Sequence, residues 1–139
     1  MFTINMDNWP LIVFEFSGEP NIEEHKQALN VWNELFTQRR KFIAVRIFHD
    51  DIAIRHTSDI GKLSLEWLDS GARDSIKEWV TAMLNITPES SFNRMKGMSV
   101  EKVFGVPGGI FKSTQDASQW LRLNIDGDLD YSLLDAFHH

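Results

Sequence analysis

The chain has 139 residues, 42% hydrophobic and 24% charged, a size and composition typical of one globular domain with its own core. It has no cysteine, which excludes disulfide bonds and thiolate metal sites and favours a reducing, cytoplasmic location. The formal charge of −6 argues against nucleic-acid binding, since contacts with phosphates require a basic surface. We expect neither a signal peptide nor a membrane span, because no apolar run approaches the ~20 residues that a span requires.

The sequence begins with the pattern of a β-hairpin. Residues 2–6 alternate apolar and polar side chains, as a half-exposed edge strand does, and a second strand is predicted at 9–16 after a polar turn. The edge strand also offers a surface for homodimer formation. A helix is predicted over about 21–38, in which Asn21 and Glu24 have the spacing of a capping box.

After this helix the sequence alternates strands and helices. Residues 42–48 are apolar and largely β-branched, with one charge, as in a central strand covered on both faces. Ser113 and Asp116 have the spacing of a helix N-terminus. The other predicted elements are a helix that begins near residue 59 and continues towards 76, a strand at 79–86, a helix at 89–104, a short strand at 110–111 and a last helix that follows Ser113.

The element order ββαβαβαβα predicts a single α/β domain with a mixed sheet of about five strands and helices packed on it. This domain is expected to span residues 1–124. Residues 125–139 contain aspartates at 126, 128, 130 and 135 but no lysine or arginine, and they are predicted to form an acidic, loosely docked C-terminal tail.

Three stretches of the chain resemble the SpoIIAA-like, STAS-type domains of bacteria. The resemblance is one of pattern and covers roughly residues 2–124. The stretches are the hairpin start Trp9-Pro10-Leu11-Ile12-Val13, the buried strand 42–48 with a helix beginning near Thr57-Ser58-Asp59, and the ending Val106-Pro107-Gly108-Gly109-Ile110-Phe111-Lys112-Ser113 with Ala117-Ser118-Gln119-Trp120-Leu121.

The resemblance implies a cytoplasmic, non-enzymatic domain that acts by binding a protein partner. In STAS-type anti-sigma antagonists, a serine in a D-S-S-G-type segment at the start of the second helix is phosphorylated by a partner kinase. Thr57, Ser58 and Asp59 occupy the corresponding stretch, with Ser58 on or beside the acceptor position. The D-S-S-G segment itself is absent, and an aspartate occupies the neighbouring place. The fold of this family is also related to lipid-carrying domains.

The polar loop after the central strand contains the residue types of a metal or acid–base site. His49, Asp50, Asp51 and His56 lie within eight residues, and imidazoles with carboxylates suit a hard divalent metal or general acid–base work. A solvated loop, in which the aspartates accept backbone N–H bonds, explains the same residues. We favour this second interpretation, because no further ligand cluster accompanies the loop.

The segment Thr57, Ser58 and Asp59 begins the second predicted helix. A helix N-terminus offers free N–H groups and a positive dipole end, which suit a phosphate or a phosphorylated serine. Each of the three residues is also an ordinary N-cap. We therefore expect capping here, with a phospho-switch as an additional hypothesis drawn from the resemblance.

Large, soft side chains form a third candidate site. Trp67, Trp79, Met83 and Met95 are predicted to converge on one cleft between helices and sheet, where they would line an apolar pocket. Ordinary core packing produces the same pattern.

These observations leave two functions open. The first is a non-enzymatic regulatory module that binds a protein partner, and it requires Ser58 to be exposed and no sizeable cavity to exist. The alternative is a carrier or sensor of a small apolar, lipid-like ligand, and it requires an apolar helix–sheet pocket. We expect no enzymatic activity, metal or cofactor, because the sequence lacks a nucleophile elbow, a Walker loop, zinc-ligand spacing and a dinucleotide fingerprint.

Overall fold

A five-stranded mixed sheet organises the protein. The computed structural model describes residues 1–55, 57–125 and 131–137. The strands are β1 (Phe2–Asn8), β2 (Leu11–Phe16), β3 (Phe42–Phe48), β4 (Val80–Ile86) and β5 (Gly108–Phe111). They lie side by side in chain order, with β1 antiparallel to β2 and all later neighbours parallel. This confirms the predicted single α/β domain with a mixed sheet.

The hairpin is present, but its turn is shifted. β1 extends to Asn8, which pairs with Leu11, so Trp9 and Pro10 form the turn and do not begin β2 as predicted. The peptide bond between them is cis. Pro10 has no N–H for a strand ladder, although its carbonyl oxygen accepts from the N–H of Ile43 at 2.7 Å. β1 lies at the edge of the sheet, as expected.

Helix α1 (Ile22–Thr37) follows the predicted pattern closely. The side chain of Asn21 accepts from the N–H of Glu24 at 2.8 Å and donates to its Oε1 at 3.0 Å. The first of these bonds satisfies one backbone donor that the first helical turn leaves free, and the second links the two side chains. Trp32 and Leu35 are buried against the sheet, and Trp32 stacks on Phe14 with ring centroids 4.8 Å apart.

The second predicted helix is divided into two. α2 (Ser58–Trp67) runs into a π-helical turn (Leu68–Ala72), and α3 (Arg73–Trp79) follows. The break occurs because Gly71 has φ of +124°, a conformation that interrupts a right-handed helix and that glycine adopts readily. Trp79 ends α3, so β4 begins one residue later than predicted.

The prediction of one helix at 89–104 is also wrong. α4 (Glu89–Met95) and α5 (Val100–Phe104) are separate, because Ser99 caps a new helix by accepting from the N–H of Lys102 at 3.2 Å. The last helix, α6 (Thr114–Asn124), begins as predicted, with Ser113 Oγ accepting from the N–H of Asp116 at 3.1 Å. None of the helices in these described segments has the length and hydropathy that crossing a bilayer requires.

The sheet separates two apolar clusters. The face covered by α1, α2, α3 and α5 contains the aromatic cluster with Trp32, whereas α6 covers the other face. A 3-10 helix (Tyr131–Ala136) packs beside α6. Tyr131 and Leu134 are buried there, and the carbonyl oxygen of Tyr131 accepts from Ser118 Oγ at 2.9 Å.

The predicted loose docking of the C-terminal tail is therefore wrong for its described part, because two apolar side chains complete the core on the α6 face. The aspartates at 126, 128 and 130 lie outside the described residues.

Candidate functional site

A cavity of about 460 Å³ lies between the sheet and the helices on the α1 face. Small-molecule sites in proteins have volumes of roughly 300–1,000 Å³ and mostly apolar walls. Phe16 and Phe48, the last residues of β2 and β3, line the cavity. It thus extends to the carboxyl ends of parallel strands, where open α/β sheets bind ligands. Its apolar walls include Ala28, Leu29, Trp32, Ile60, Ile76 and Phe104.

Two aromatic residues on neighbouring helices form much of the helical wall. The rings of Trp32 on α1 and Trp67 on α2 lie 6.2 Å apart. Phe36 stacks on Trp67 at 6.3 Å, and the Trp67 indole N–H donates to Asn33 Oδ1 at 2.8 Å. These contacts fix the orientation of the rings, so the wall is formed before any ligand binds.

Three of the four residues predicted to form an apolar pocket line this cavity. Met83 lies on the sheet, Trp67 on α2 and Met95 at the end of α4. Trp79 packs on the same core but does not line the cavity. It ends α3, directly before the amino end of β4, whereas the cavity includes residues nearer the carboxyl end of that strand.

Strand alternation directs two polar side chains into the cavity. Ala44 and Met83 belong to the cluster on the α1 face. Arg46 lies two residues after Ala44, and Asn85 two residues after Met83, so both project from the same face. They are register partners on adjacent central strands, and both line the cavity.

Arg46 is the charged residue on the sheet side of the cavity. Its Nε donates to Asn85 Oδ1 at 2.7 Å, and its guanidinium lies 5.4 Å from the ring centroid of Phe104 and 6.0 Å from that of Phe48. Within the described residues it forms no salt bridge. Burial lowers the pKa of Arg46 to about 10, because its surroundings disfavour the charged form. The side chain nevertheless stays cationic at neutral pH.

Asn85 adds a second donor at the same place. The residue is only 3% exposed, and its Nδ2 has no hydrogen-bond partner in the part of the chain that the structure describes. Buried polar groups in proteins are almost always paired, and leaving one unpaired costs about 1–3 kcal/mol. The sheet side of the cavity therefore contains a buried, unpaired amide group beside a cation.

The other ionisable groups that line the cavity already contact one another or a neighbour. Glu24 Oε1 lies 3.4 Å from the amino group of Met1 and accepts from Asn21 Nδ2. His25 Nε2 lies 2.6 Å from Ser64 Oγ on α2. These contacts connect α1 with the start of the chain and with α2.

The described loop residues that were considered as a candidate metal or acid–base site have separate partners. His49 Nε2 contacts Glu15 Oε1 at 2.8 Å, while Asp50 accepts from the N–H groups of Gly18 and Ala53, each at 2.9 Å. Among residues 1–55, 57–125 and 131–137, no group of three or more histidine and carboxylate side chains is arranged to hold a metal. His56 lies outside the described residues.

Asp51 connects the loop to α4. Its carboxylate accepts from Ser91 Oγ, and from Ser90 Oγ at 2.7 and 2.9 Å. The hydrogen bonds from these two serines lower the pKa of Asp51, and Ser91 has the larger effect. The side chain therefore has a structural role, but it accepts from serine hydroxyls. Asp50 is the loop aspartate that accepts backbone N–H bonds as expected.

Thr57, Ser58 and Asp59 are exposed at the start of α2. Thr57 occupies the N-cap position but makes no side-chain capping hydrogen bond, so the expected cap is absent there. Asp59 Oδ1 accepts from Thr57 Oγ1 and from the N–H of Ile60, the latter at 3.0 Å. The hydrogen bond from Thr57 is the main cause that lowers the pKa of Asp59. Ser58 is thus accessible from solvent. Thr57, Ser58 and Asp59 do not line the cavity, whereas Ile60 does.

Sequence reasoning missed the polar pair. A charge in a strand predicted to be covered on both faces was the available signal for Arg46, because a buried cation needs compensation. Asn85 gave a similar signal near the end of a buried strand. Comparisons of the chain with protein-family models, curated proteins and solved structures find no match. The geometry alone therefore carries the functional argument.

Proposed function

We propose that the protein binds a small apolar, lipid-like ligand in the helix–sheet cavity and acts as its carrier or sensor. The observation that carries this proposal is the cavity itself, with a volume of about 460 Å³. Well-packed interiors contain few voids larger than a water molecule, so an unfilled space of this size lowers stability, and a bound ligand would offset that cost. Aromatic and methionine walls adapt to apolar ligands of varied shape.

The cavity also explains the three pocket residues that the sequence predicted. Trp67, Met83 and Met95 come from a helix, the sheet and a second helix, and they meet at one place. A protein that only presents a surface to a partner has no need for such a space. This consideration favours ligand binding over the alternative of a purely surface-acting module.

A neutral apolar fluorophore, N-phenyl-1-naphthylamine, tests the proposal by titration. The buried residue Ala28 lines the cavity from α1, so A28F should fill part of it and reduce probe affinity at least tenfold. A136F adds the same ring at an exposed position of the C-terminal 3-10 helix and serves as the matched control. A thermal melt verifies that both variants fold. Absence of saturable binding to the wild type, or equal binding by A28F and A136F, contradicts the proposal.

A regulatory STAS-type module in the cytoplasm, which acts through a protein partner, is the second candidate function, although the cavity contradicts the expectation that such a module has no sizeable internal space. The mixed five-stranded sheet and the helix that begins at Ser58 support this kinship, and Ser58 is exposed. The same helix contributes Gly61 and Ser64 to the cavity, so ligand binding and partner binding would be coupled through α2. In this case S58D and S58A should differ in how strongly they capture the protein partner. Identical capture by both variants and the wild type contradicts it.

A further inference from the structure

We propose that the ligand is an amphipathic monocarboxylic acid, whose carboxylate binds the guanidinium of Arg46 and the amide of Asn85 while its apolar body occupies the rest of the cavity. This inference rests on the proposed function and names its ligand class. It depends on Arg46 and Asn85, the polar pair on the sheet. An apolar ligand alone does not explain why these two polar side chains line the cavity.

The polar pair presents only donors to the cavity. A guanidinium has five N–H groups, and the bond to Asn85 Oδ1 uses the one on Nε. The N–H groups on the two Nη atoms have no ion-pair partner within the described residues. Asn85 Nδ2 is likewise unpaired there. A ligand group that satisfies them must be an acceptor with several lone pairs.

A carboxylate fits this donor set in shape. The planar fork of an arginine matches the two oxygens of a carboxylate, and such bidentate pairs are among the strongest hydrogen-bonded contacts in proteins. The Nδ2 donor of Asn85 lies on the strand next to Arg46, in register with it. It can therefore satisfy a remaining lone pair of the same carboxylate.

The charge fits a monoanion. A partly buried cation without a counter-ion is costly, and the rings of Phe48 and Phe104 compensate it only in part. One guanidinium neutralises one negative charge, so a phosphate dianion would leave an uncompensated charge among apolar walls. The carboxylate of Glu24, which lines the same cavity, already contacts the Met1 amino group and Asn21.

Calorimetric titration with two probes of equal chain length tests the inference. Sodium decanoate carries the carboxylate, and 1-decanol has the same apolar body without the charge. We expect the full chain to bind decanoate about 10- to 100-fold more tightly than decanol, the ratio that charge-assisted hydrogen bonds give. Decyl phosphate should bind more weakly than decanoate.

Two substitutions in the pair and one control outside it test whether Arg46 and Asn85 cause the preference for decanoate. R46M removes the cation and keeps an unbranched apolar chain, so the preference for decanoate should disappear while decanol still binds. N85D supplies an internal carboxylate to Arg46 and should abolish the preference in the same way. R122M removes one positive charge from an exposed position on α6 and should retain the wild-type preference.

The possible results separate this inference from the function on which it rests. Equal affinity of the wild type for decanoate and decanol overturns the inference and leaves apolar ligand binding intact. A preference for decanoate that persists in both R46M and N85D overturns it as well, because the charge recognition then lies elsewhere. Failure of both probes to bind the wild type overturns the inference and the proposed function together.

Discussion

Arg46 and Asn85, which form the proposed carboxylate site, are two polar residues that are each costly in isolation. Each polar group lies on a central strand, where apolar side chains would stabilise the sheet more. Their single hydrogen bond, 2.7 Å long, joins residues 39 positions apart in the sequence and leaves the other donors facing a cavity. The protein tolerates this arrangement because other members of the cluster, such as Phe14 and Phe42, are completely buried.

Asp51 provides a prediction about pH at the residue scale. Hydrogen bonds from Ser91 and Ser90 lower the pKa of its carboxyl group in the folded state. At a pH near the ordinary pKa of an aspartate, the unfolded state therefore binds more protons than the folded state. The contribution of Asp51 is therefore present above about pH 4 and is lost as the pH falls through the folded-state pKa. D51N should melt at a lower temperature than the wild type at pH 7 and lose less stability between pH 5 and pH 3.

Thermal melts over this pH range measure the effect. A double variant, S90A/S91A, removes the two donors and should reproduce the behaviour of D51N. If the melting temperatures of D51N and the wild type decline in parallel as the pH falls, the carboxylate does not connect the loop to α4 in the way the structure indicates.

At the scale of elements, local chemistry explains which predictions succeeded. The caps at Asn21 and Ser113 were predictable because a side chain bonds a backbone N–H three residues away. β3 was predictable because a short run of apolar, largely β-branched residues favours a β-strand. The break at Gly71 was not predictable, since the apolar period continues through it. The pairing of Arg46 with Asn85 depends on the register between two strands, and the local sequence of either strand does not determine that register.

Two glycines give a matched pair of variants that test the division between α2 and α3. An added Cβ meets nothing within 4 Å at either Gly61 or Gly71, so space does not distinguish them. Gly61 is helical within α2, and G61A should raise the free energy of unfolding by about 0.5–1 kcal/mol. Gly71 has φ of +124°, and G71A should lower the free energy of unfolding by about 1–3 kcal/mol. Urea denaturation measures both, and changes of the same sign would contradict the break.

At the scale of the whole molecule, the two faces of the sheet differ in use. The α6 face is filled by a continuous apolar cluster to which Leu121, Tyr131 and Leu134 belong. The α1 face contains the cavity. One tightly packed face stabilises the sheet, and the other can therefore keep the space that the proposed ligand would occupy.

The C-terminal 3-10 helix should contribute to this stability. Leu134 is completely buried, whereas Leu123 on α6 is 77% exposed. L134A should lower the free energy of unfolding by about 2–5 kcal/mol, and L123A should change it by no more than about 0.5 kcal/mol. Equal effects in denaturant titrations would mean that the segment after α6 is not part of the core.

Methionine methyl NMR is the most direct test of the account. Of the five methionines, Met83, Met95 and Met98 line the cavity with Met1, whereas Met6 on the edge strand does not. In the protein labelled with ¹³C at the methionine methyl groups, saturation with decanoate should shift the signals of Met83, Met95 and Met98 and leave that of Met6 in place. Unchanged signals for Met83 and Met95 at saturating decanoate would contradict a ligand site between the helices and the sheet.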